Sequence, residues 1–197
     1  MKVLTHFLLW RFGLTRAETQ TTDAERDCLA KYAVGRRCLV EIGVWHGVTT
    51  RRLRAAMAPD GVLYAVDPVP AGRLGLSLQR HIARREVSRM PRGRIVWIRL
   101  TGAEAGRAYV ARSNPPVDFL FVDGDHSYDG IQADWLAWSD DIAPGGIVAL
   151  HDSRSSHARP IEDAGSVRYT LDVILRDPRF RQIDAVDSLT VLERTPA

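Results

Sequence analysis

The chain reads as one α/β domain built on a doubly wound, mostly parallel sheet of seven strands that closes in an antiparallel hairpin. Three observations carry this. Five short apolar runs, at 38–42, 62–66, 95–98, 117–122 and 147–150, alternate with stretches of helical periodicity. Two further strand-like runs, at 180–186 and 189–192, are separated only by Asp187 and Ser188. A parallel crossover needs roughly a dozen residues, so this last pair must turn back on itself. Finally, 197 residues with 45% hydrophobic content suffice for one well-filled core, and no repeat, low-complexity tract or linker marks a second.

The first element is a short helix. The run 3–14 is apolar in places but broken by His6 and Arg11, and no small-residue cleavage site follows it. This argues against a signal peptide or membrane span. Val3, Phe7, Trp10 and Leu14 fall on one helical face, able to pack on the domain, on a partner subunit or over a substrate mouth. A homodimer through this helix stays open. Residues 1–21 are therefore set apart as a helical arm, and 22–197 as the domain proper.

Thr22 and Glu25 have capping-box spacing and open a second helix whose apolar stripe, Leu29, Tyr32 and Ala33, ends at Gly35. Cys38 to Ile42 is the first strand, followed by a helix over 49–57 and a turn at Pro59-Asp60-Gly61. The second strand, 62–66, leads into a helix near 73–89, and the third, 95–98, into a short helix after Gly102. After the fourth strand, 117–122, the residues Tyr128, Ile131, Trp135, Trp138 and Ile142 advance by three or four, predicting a helix that Pro144-Gly145-Gly146 stops. Its tryptophans read as core. The fifth strand, 147–150, is nearly all apolar, as a strand covered on both faces must be.

The net charge of +3 comes almost wholly from arginine, since Lys2 and Lys31 are the only lysines. The arginines between Arg73 and Arg99 are interleaved with Leu74, Leu78 and Ile82 at helical spacing, which reads as a solvated helix face and not as a nucleic-acid patch. Cys28 and Cys38 lie among apolar neighbours and read as reduced, buried thiols. A cytoplasmic protein with no nucleic-acid or membrane partner is the expectation.

The segment Glu41-Ile42-Gly43-Val44-Trp45-His46-Gly47 lies where the first strand gives way to a helix, the crevice where α/β proteins bind ligands. Gly43 and Gly47 let the backbone turn sharply, the helix amides favour a carboxylate, and Glu41 would stand near a cationic amine. Asp67 ends the second strand, where a carboxylate can chelate a ribose diol. Together they point to a nucleoside-type cofactor. The chemical edge is Asp118-Phe-Leu-Phe-Val-Asp123-Gly-Asp125-His126-Ser-Tyr128 and Pro144-Gly-Gly-Ile-Val-Ala-Leu-His151-Asp152-Ser153. Two neighbouring strands each end there in acidic and imidazole groups, whose mutual repulsion and desolvation call for a cation. The bland alternative is an Asx-type turn at 123–125, with His126 or Ser127 capping the next helix.

Glu41-x-Gly-x-x-x-Gly47 resembles the methyltransferase glycine motif, and the Asp-Gly-Asp-His-Ser-Tyr stretch with the later Gly-Gly and His-Asp strongly resembles a small bacterial class I methyltransferase family (methyltransferase family 24-like). The chain is similar, more distantly, to catechol-type and macrolide-sugar O-methyltransferases. The resemblance implies a Rossmann-like fold, S-adenosylmethionine (SAM) as cofactor, and methylation of a small-molecule hydroxyl assisted by a divalent cation such as magnesium or manganese. By position it implies Glu41, Gly43, Gly47, Asp67, Glu104 and Asp125 as cofactor contacts, the Glu104 assignment resting on Thr101-Gly102-Ala103-Glu104 as the segment bordering the adenine. It also implies Asp123, His151 and Asp152 as metal ligands and His126 as general base, with Asp125 the other candidate. The catechol-type pattern has asparagine where Ser153 stands here, and the sugar-type pattern an acidic residue where His151 stands. The competing readings are a metal-independent methyltransferase with a histidine base, a noncatalytic cofactor-binding protein, and a nicotinamide enzyme, the last disfavoured by the glycine spacing. The polar loop 153–164, with Arg154, His157 and Arg159, is where an acceptor would be selected.

Overall fold

The structure is a computed structural model that describes residues 3–69, 77–110, 114–157 and 159–196. In chain order the elements are α1 (Val3–Arg11), α2 (Asp23–Ala33), β1 (Cys38–Ile42), α3 (Val48–Ala56), β2 (Val62–Val66), α4 (Leu78–Ser88), β3 (Arg94–Ile98), α5 (Gly102–Val110), β4 (Val117–Val122), α6 (Tyr128–Trp138), β5 (Ile142–Leu150), α7 (Gly165–Asp172), β6 (Phe180–Val186) and β7 (Leu189–Arg194). The strands form one seven-stranded sheet in the order β3-β2-β1-β4-β5-β7-β6. The pairs from β3 to β5 are parallel, and β7 runs antiparallel to both β5 and β6. This is the class I methyltransferase fold that the alternation and the terminal hairpin predict.

Because side chains alternate along a strand, each central strand feeds two cores. Val40 and Ile42 of β1 and Leu120 and Val122 of β4 pack against Tyr109, Ile131, Trp135 and Trp138 on one face. Leu39, Phe119 and Phe121 pack against Cys28, Leu29, Leu53 and Met57 on the other. The tryptophans of α6 are core, as expected, and both cysteines are free and buried. Arg84 and Arg85 of α4 and Arg89 at its C-terminal cap face solvent while Ile82 is buried, so that stretch is a solvated helix face; the part of the expected helix at 73–76 falls outside the described residues. No described helix is long and apolar enough to cross a membrane.

Three local expectations are corrected. Helix α6 stops at Trp138 and strand β5 begins at Ile142, so Pro144-Gly145-Gly146 lies inside the strand. The reason is a register shift between Val117 and Phe119, which lets Ile142 pair with Val117 while Gly145 adopts φ +72°. Helix α7, with Val167, Tyr169 and Thr170 buried, was not expected at all. In α1 the buried residues are His6 and Trp10, whereas Val3 and Leu14 are exposed. The polar His6 is turned inward, beside Glu18 and His46.

Register places the site. Ile42 pairs with Val66 and Val122, and Val122 with Leu150, so these four strands end level. Gly43, Asp67, Asp123 and His151, each the next residue, therefore share one edge. β1 lies between β2 and β4, which puts the topological switch point at the same place.

Candidate active site

A cavity of about 580 Å³ opens at that edge, within the size range of small-molecule sites. Its floor is the glycine loop. Gly43 has φ +88°, and a Cβ there would fall on the Asp123 carbonyl oxygen, so only glycine lets the β1 and β4 ends approach this closely. Gly47 has φ +74° and caps α3 through its backbone alone. Asp67 accepts from the Val44 and Trp45 amides, both at 3.1 Å, and from the Val69 amide at 2.8 Å. Its carboxylate thus holds the glycine loop in shape from the cavity wall.

At the other end the carboxylates and imidazoles converge. His126 lies between two carboxylates, with Nε2 3.5 Å from Asp123 Oδ1 and Nδ1 3.5 Å from Asp152 Oδ2. His151 is fully buried, its Nδ1 2.9 Å from Asp123 Oδ1 and 3.6 Å from Asp152 Oδ1, and its Nε2 3.4 Å from Glu25 Oε2. Arg159 Nη2 stands 2.5 Å from Asp152 Oδ2. Asp152 itself has φ +50°, a left-handed backbone that turns its side chain back toward β4.

The pKa pattern follows. Burial would raise Glu25, but the facing His151 imidazolium and hydrogen bonds from Ser188 and Thr22 outweigh it and bring the carboxyl down to about 2. Burial would lower His151, but Asp123 and Glu25 hold it up, to about 10. Asp123 is likewise opposed by burial yet lowered by His126 and His151. By themselves these residues balance the acidic edge with His151 as an imidazolium and Arg159 as a second cation.

These residues also suit a divalent ion. Both ring nitrogens of His151 and Asp152 Oδ1 are buried with no hydrogen-bond partner of good geometry. Asp123, His126 and His151 each offer a ligand atom within 4.8 Å of the others. Ligand atoms around one transition or hard divalent ion stand about 3 Å apart, given bonds of about 2.0–2.2 Å. The Glu25 carboxylate behind His151 Nε2 is the outer partner that a metal-bound histidine commonly has. A bound ion would replace the Nδ1 proton.

The sequence matches a family described as a methyltransferase domain over residues 40–153, more than half of the chain. The chain belongs to this methyltransferase family. Among solved structures, this methyltransferase is similar in fold to the O-methyltransferase of Streptomyces achromogenes involved in tomaymycin synthesis, in complex with SAM. That likeness has 16% identity and a TM-score of 0.69 over 100% of this chain and 91% of the other. It is also similar to the O-methyltransferase of Bacillus cereus in complex with SAH, at 16% identity and TM-score 0.61, over 98% of this chain and 91% of the other. A third is a methyltransferase of Geobacter sulfurreducens, at 14% identity and TM-score 0.63, over 100% of this chain and 89% of the other.

Among the residues expected at the methyltransferase site, Gly43, Asp67, Asp123, Asp125 and His126 line the cavity. Glu41, Gly47, Glu104, His151 and Asp152 do not. Glu41 is fully buried beneath the glycine loop with both oxygens unpartnered, and burial raises its pKa well above the ordinary carboxyl value, so it is not at the wall as expected. Glu104 is exposed and accepts from the Thr101 amide and hydroxyl at 2.9 Å, so it caps α5, while its neighbours Thr101, Gly102 and Ala103 line the cavity. His151 is a buried bridge, not a cavity residue. Ser127 caps α6, its Oγ accepting from the Gly130 amide, but the Asx-type turn expected at 123–125 lies at 125–127, where Asp125 Oδ1 accepts from the Ser127 amide. Capping and lining the cavity coexist here.

Sequence reasoning missed Glu25, Asp134 and the arm residues Glu18, Thr19 and Gln20. Glu25 reaches His151 from α2, and its capping-box spacing concealed a second partner. Glu18, Thr19 and Gln20 from the arm wall the cavity. Of the cationic residues expected in the 153–164 loop, Arg154 and His157 are exposed and Arg159 turns inward. Asp134 of α6 also lines the cavity, and burial, followed by the nearby Asp125 charge, raises its pKa to about 6 against the Ala103 amide bond that lowers it. A raised carboxyl pKa favours the fold below the unfolded value of 3.8 and loses that contribution as pH rises through about 6. Asp134→Asn is therefore expected to raise the melting temperature at pH 8 and to have little effect at pH 4, measured by thermal denaturation at both values.

Proposed function

We propose that this methyltransferase uses SAM to methylate a small-molecule hydroxyl, with divalent-cation assistance, through a domain spanning 22–197 and an arm spanning 1–21. The observation that carries the proposal is the level ending of β1, β2, β4 and β5. It sets a glycine loop and Asp67 at one end of a single cavity and Asp123 and His126 at the other, with Asp152 buried against His126. SAM fits the first end by its chemistry: amides at the start of α3 for a carboxylate, and Asp67 for a ribose diol. The names of the Streptomyces and Bacillus proteins, O-methyltransferases in complex with SAM and SAH, support the same choice.

In this reading Asp123, His151 and Asp152 would hold the cation, which when bound lowers the pKa of the acceptor hydroxyl and fixes its oxygen. The chain's own groups do the rest. His126, partly exposed and held at 3.5 Å from each carboxylate, retains freedom to take the hydroxyl proton as the acceptor oxygen forms its bond to the methyl carbon. The carbon–sulfur bond breaks with its electron pair remaining on sulfur, which becomes a neutral thioether. Asp123 and Asp152 stabilise the imidazolium so formed, and the cavity walls hold oxygen, carbon and sulfur in line. Asp125 is the alternative proton acceptor.

A metal-independent reading is favoured by one observation, the Arg159 guanidinium on Asp152, which already supplies positive charge there. Calorimetric titration of SAM, with magnesium, with manganese and with chelator, separates the two. Micromolar SAM binding in every condition is expected, together with a separate metal isotherm that Asp152→Asn removes. Absence of SAM heat throughout would overturn the cofactor assignment; absence of any metal heat would leave His126 acting without an ion.

A further inference from the structure

A second cluster of ligating groups lies away from the strand ends, where the arm meets the domain. His6 of α1, Glu18 of the arm and His46 of the glycine loop each offer one ligand atom within 4.8 Å of the others. His6 Nδ1 is 3.2 Å from Glu18 Oε1. The Glu18 amide donates to His46 Nδ1 at 3.0 Å, which makes Nδ1 a lone-pair acceptor and leaves Nε2 as the nitrogen free to bind elsewhere.

Local packing does not account for His6. Its side chain is 6% exposed, yet neither ring nitrogen makes a hydrogen bond of good geometry. A helix that turns an imidazole inward in place of Val3 or Leu4, which it leaves 65% and 59% exposed, pays a desolvation cost that needs a partner. The two imidazole rings lie nearly parallel with centroids 5.1 Å apart, and Trp45 stacks on the outer side of His46 at 4.9 Å. Two imidazoles and one carboxylate are a ligand set for a borderline divalent ion, with water completing a tetrahedron. Zinc ligand atoms bonded at about 2.0–2.1 Å stand roughly 3.3 Å apart, close to the His6–Glu18 separation.

We propose that His6, Glu18 and His46 form a second divalent-cation site, of the zinc type, that clips the N-terminal arm onto the glycine loop. The clip differs from the Asp123 cluster in its residues and in its consequence. Glu18 and Trp45 both line the cavity, so an ion joining His6, Glu18 and His46 fixes a wall of the cofactor site through α1, which is otherwise docked by Trp10 Nε1 donating to Glu86 at 3.1 Å.

The test uses untagged protein stripped with chelator and dialysed against zinc. Zinc content per chain is read by mass spectrometry, and amide exchange across Val3–Arg11 is followed with and without zinc. The wild type is expected to hold one zinc more than His46→Gln, whatever the Asp123 cluster also binds, and zinc is expected to slow α1 exchange at least tenfold in the wild type alone. Glu18→Gln, whose side chain is 49% exposed and whose change leaves the fold intact, is expected to weaken the same zinc at least tenfold. Equal zinc content and affinity in the wild type and Glu18→Gln would overturn the proposal, as would zinc that binds without slowing α1 exchange.

Discussion

His126→Ala is expected to lower kcat by about 10²- to 10⁴-fold, the range contributed by a positioned general base, while leaving SAM affinity within a few fold. His126 is the imidazole of the cluster that reaches the cavity, whereas His151 is enclosed between Asp123 and Glu25. The separation in the two constants follows from position. His126 sits between the ends of β4 and β5, where the proposed acceptor oxygen would lie, while the groups suited to the amino acid and ribose of SAM come from β1 and β2. Steady-state kinetics with a responsive hydroxyl acceptor, paired with calorimetry for SAM, makes the comparison. A loss below tenfold would move the base to Asp125, and Asp125→Asn would then carry the larger defect.

Glu25→Ala is the substitution expected to cost the most stability, about 3–5 kcal/mol, the range seen when one partner of a buried ion pair is removed. One carboxylate does three jobs here. It completes the capping box with Thr22, accepts from the Ser188 amide and hydroxyl at 3.0 and 2.7 Å, and faces His151 Nε2. Alanine leaves the buried Ser188 groups and His151 Nε2 without their partner and uncaps the Thr22 end of α2. Glu25→Gln keeps one acceptor oxygen, enough for Ser188, but turns its amide NH2 toward the Thr22 amide and loses the charge opposite His151; its cost should still be smaller than that of alanine. The pH dependence separates the two effects. Because the folded pKa is lowered from 4.5 to about 2, the charge contributes fully above pH 4.5 and is lost as pH falls through about 2. The stability gap between wild type and Glu25→Gln, read from urea unfolding, should therefore narrow on acidification below pH 4.5. A gap independent of pH would mean that the hydrogen bonds alone carry it.

The role given to His126 was already implied by the Asp123–Tyr128 motif, whereas the Glu25 prediction rests on contacts that no sequence pattern announced. The Thr22–Glu25 capping box was readable because its partners are three residues apart, and the structure forms both of its bonds. Glu25 meeting His151 was not, since it depends on α2 packing across the end of β5. The same contrast separates Gly43 from Arg159. Gly43 stands in a spaced motif at a strand end, and its backbone requirement follows from the close approach it permits. Arg159 is one of several cations in a polar loop, and only the path of that loop turns it toward Asp152. At Pro144-Gly145-Gly146 local chemistry pointed to a stop, but pairing with β4 across a bulge overrode it. In α1 the period rightly puts Trp10 against the domain, but it gives no sign that the polar His6 is buried there too, beside His46 and Glu18.

The sequence by itself determined the order and kind of the strands and most helices, the antiparallel ending, the family, and the edge at which Asp67, Asp123, His126 and Asp152 gather. These follow from period, capping and turn chemistry, which act over a few residues, together with the level strand ends that a parallel sheet imposes. Only the tertiary structure decided which charges meet. It turned His151 inward between Glu25 and Asp123, set Arg159 on Asp152, hid Glu41, and brought the arm to the cavity wall. Such pairings are settled by how whole elements pack, because the cost of burying an ionic group depends on every neighbour that surrounds it.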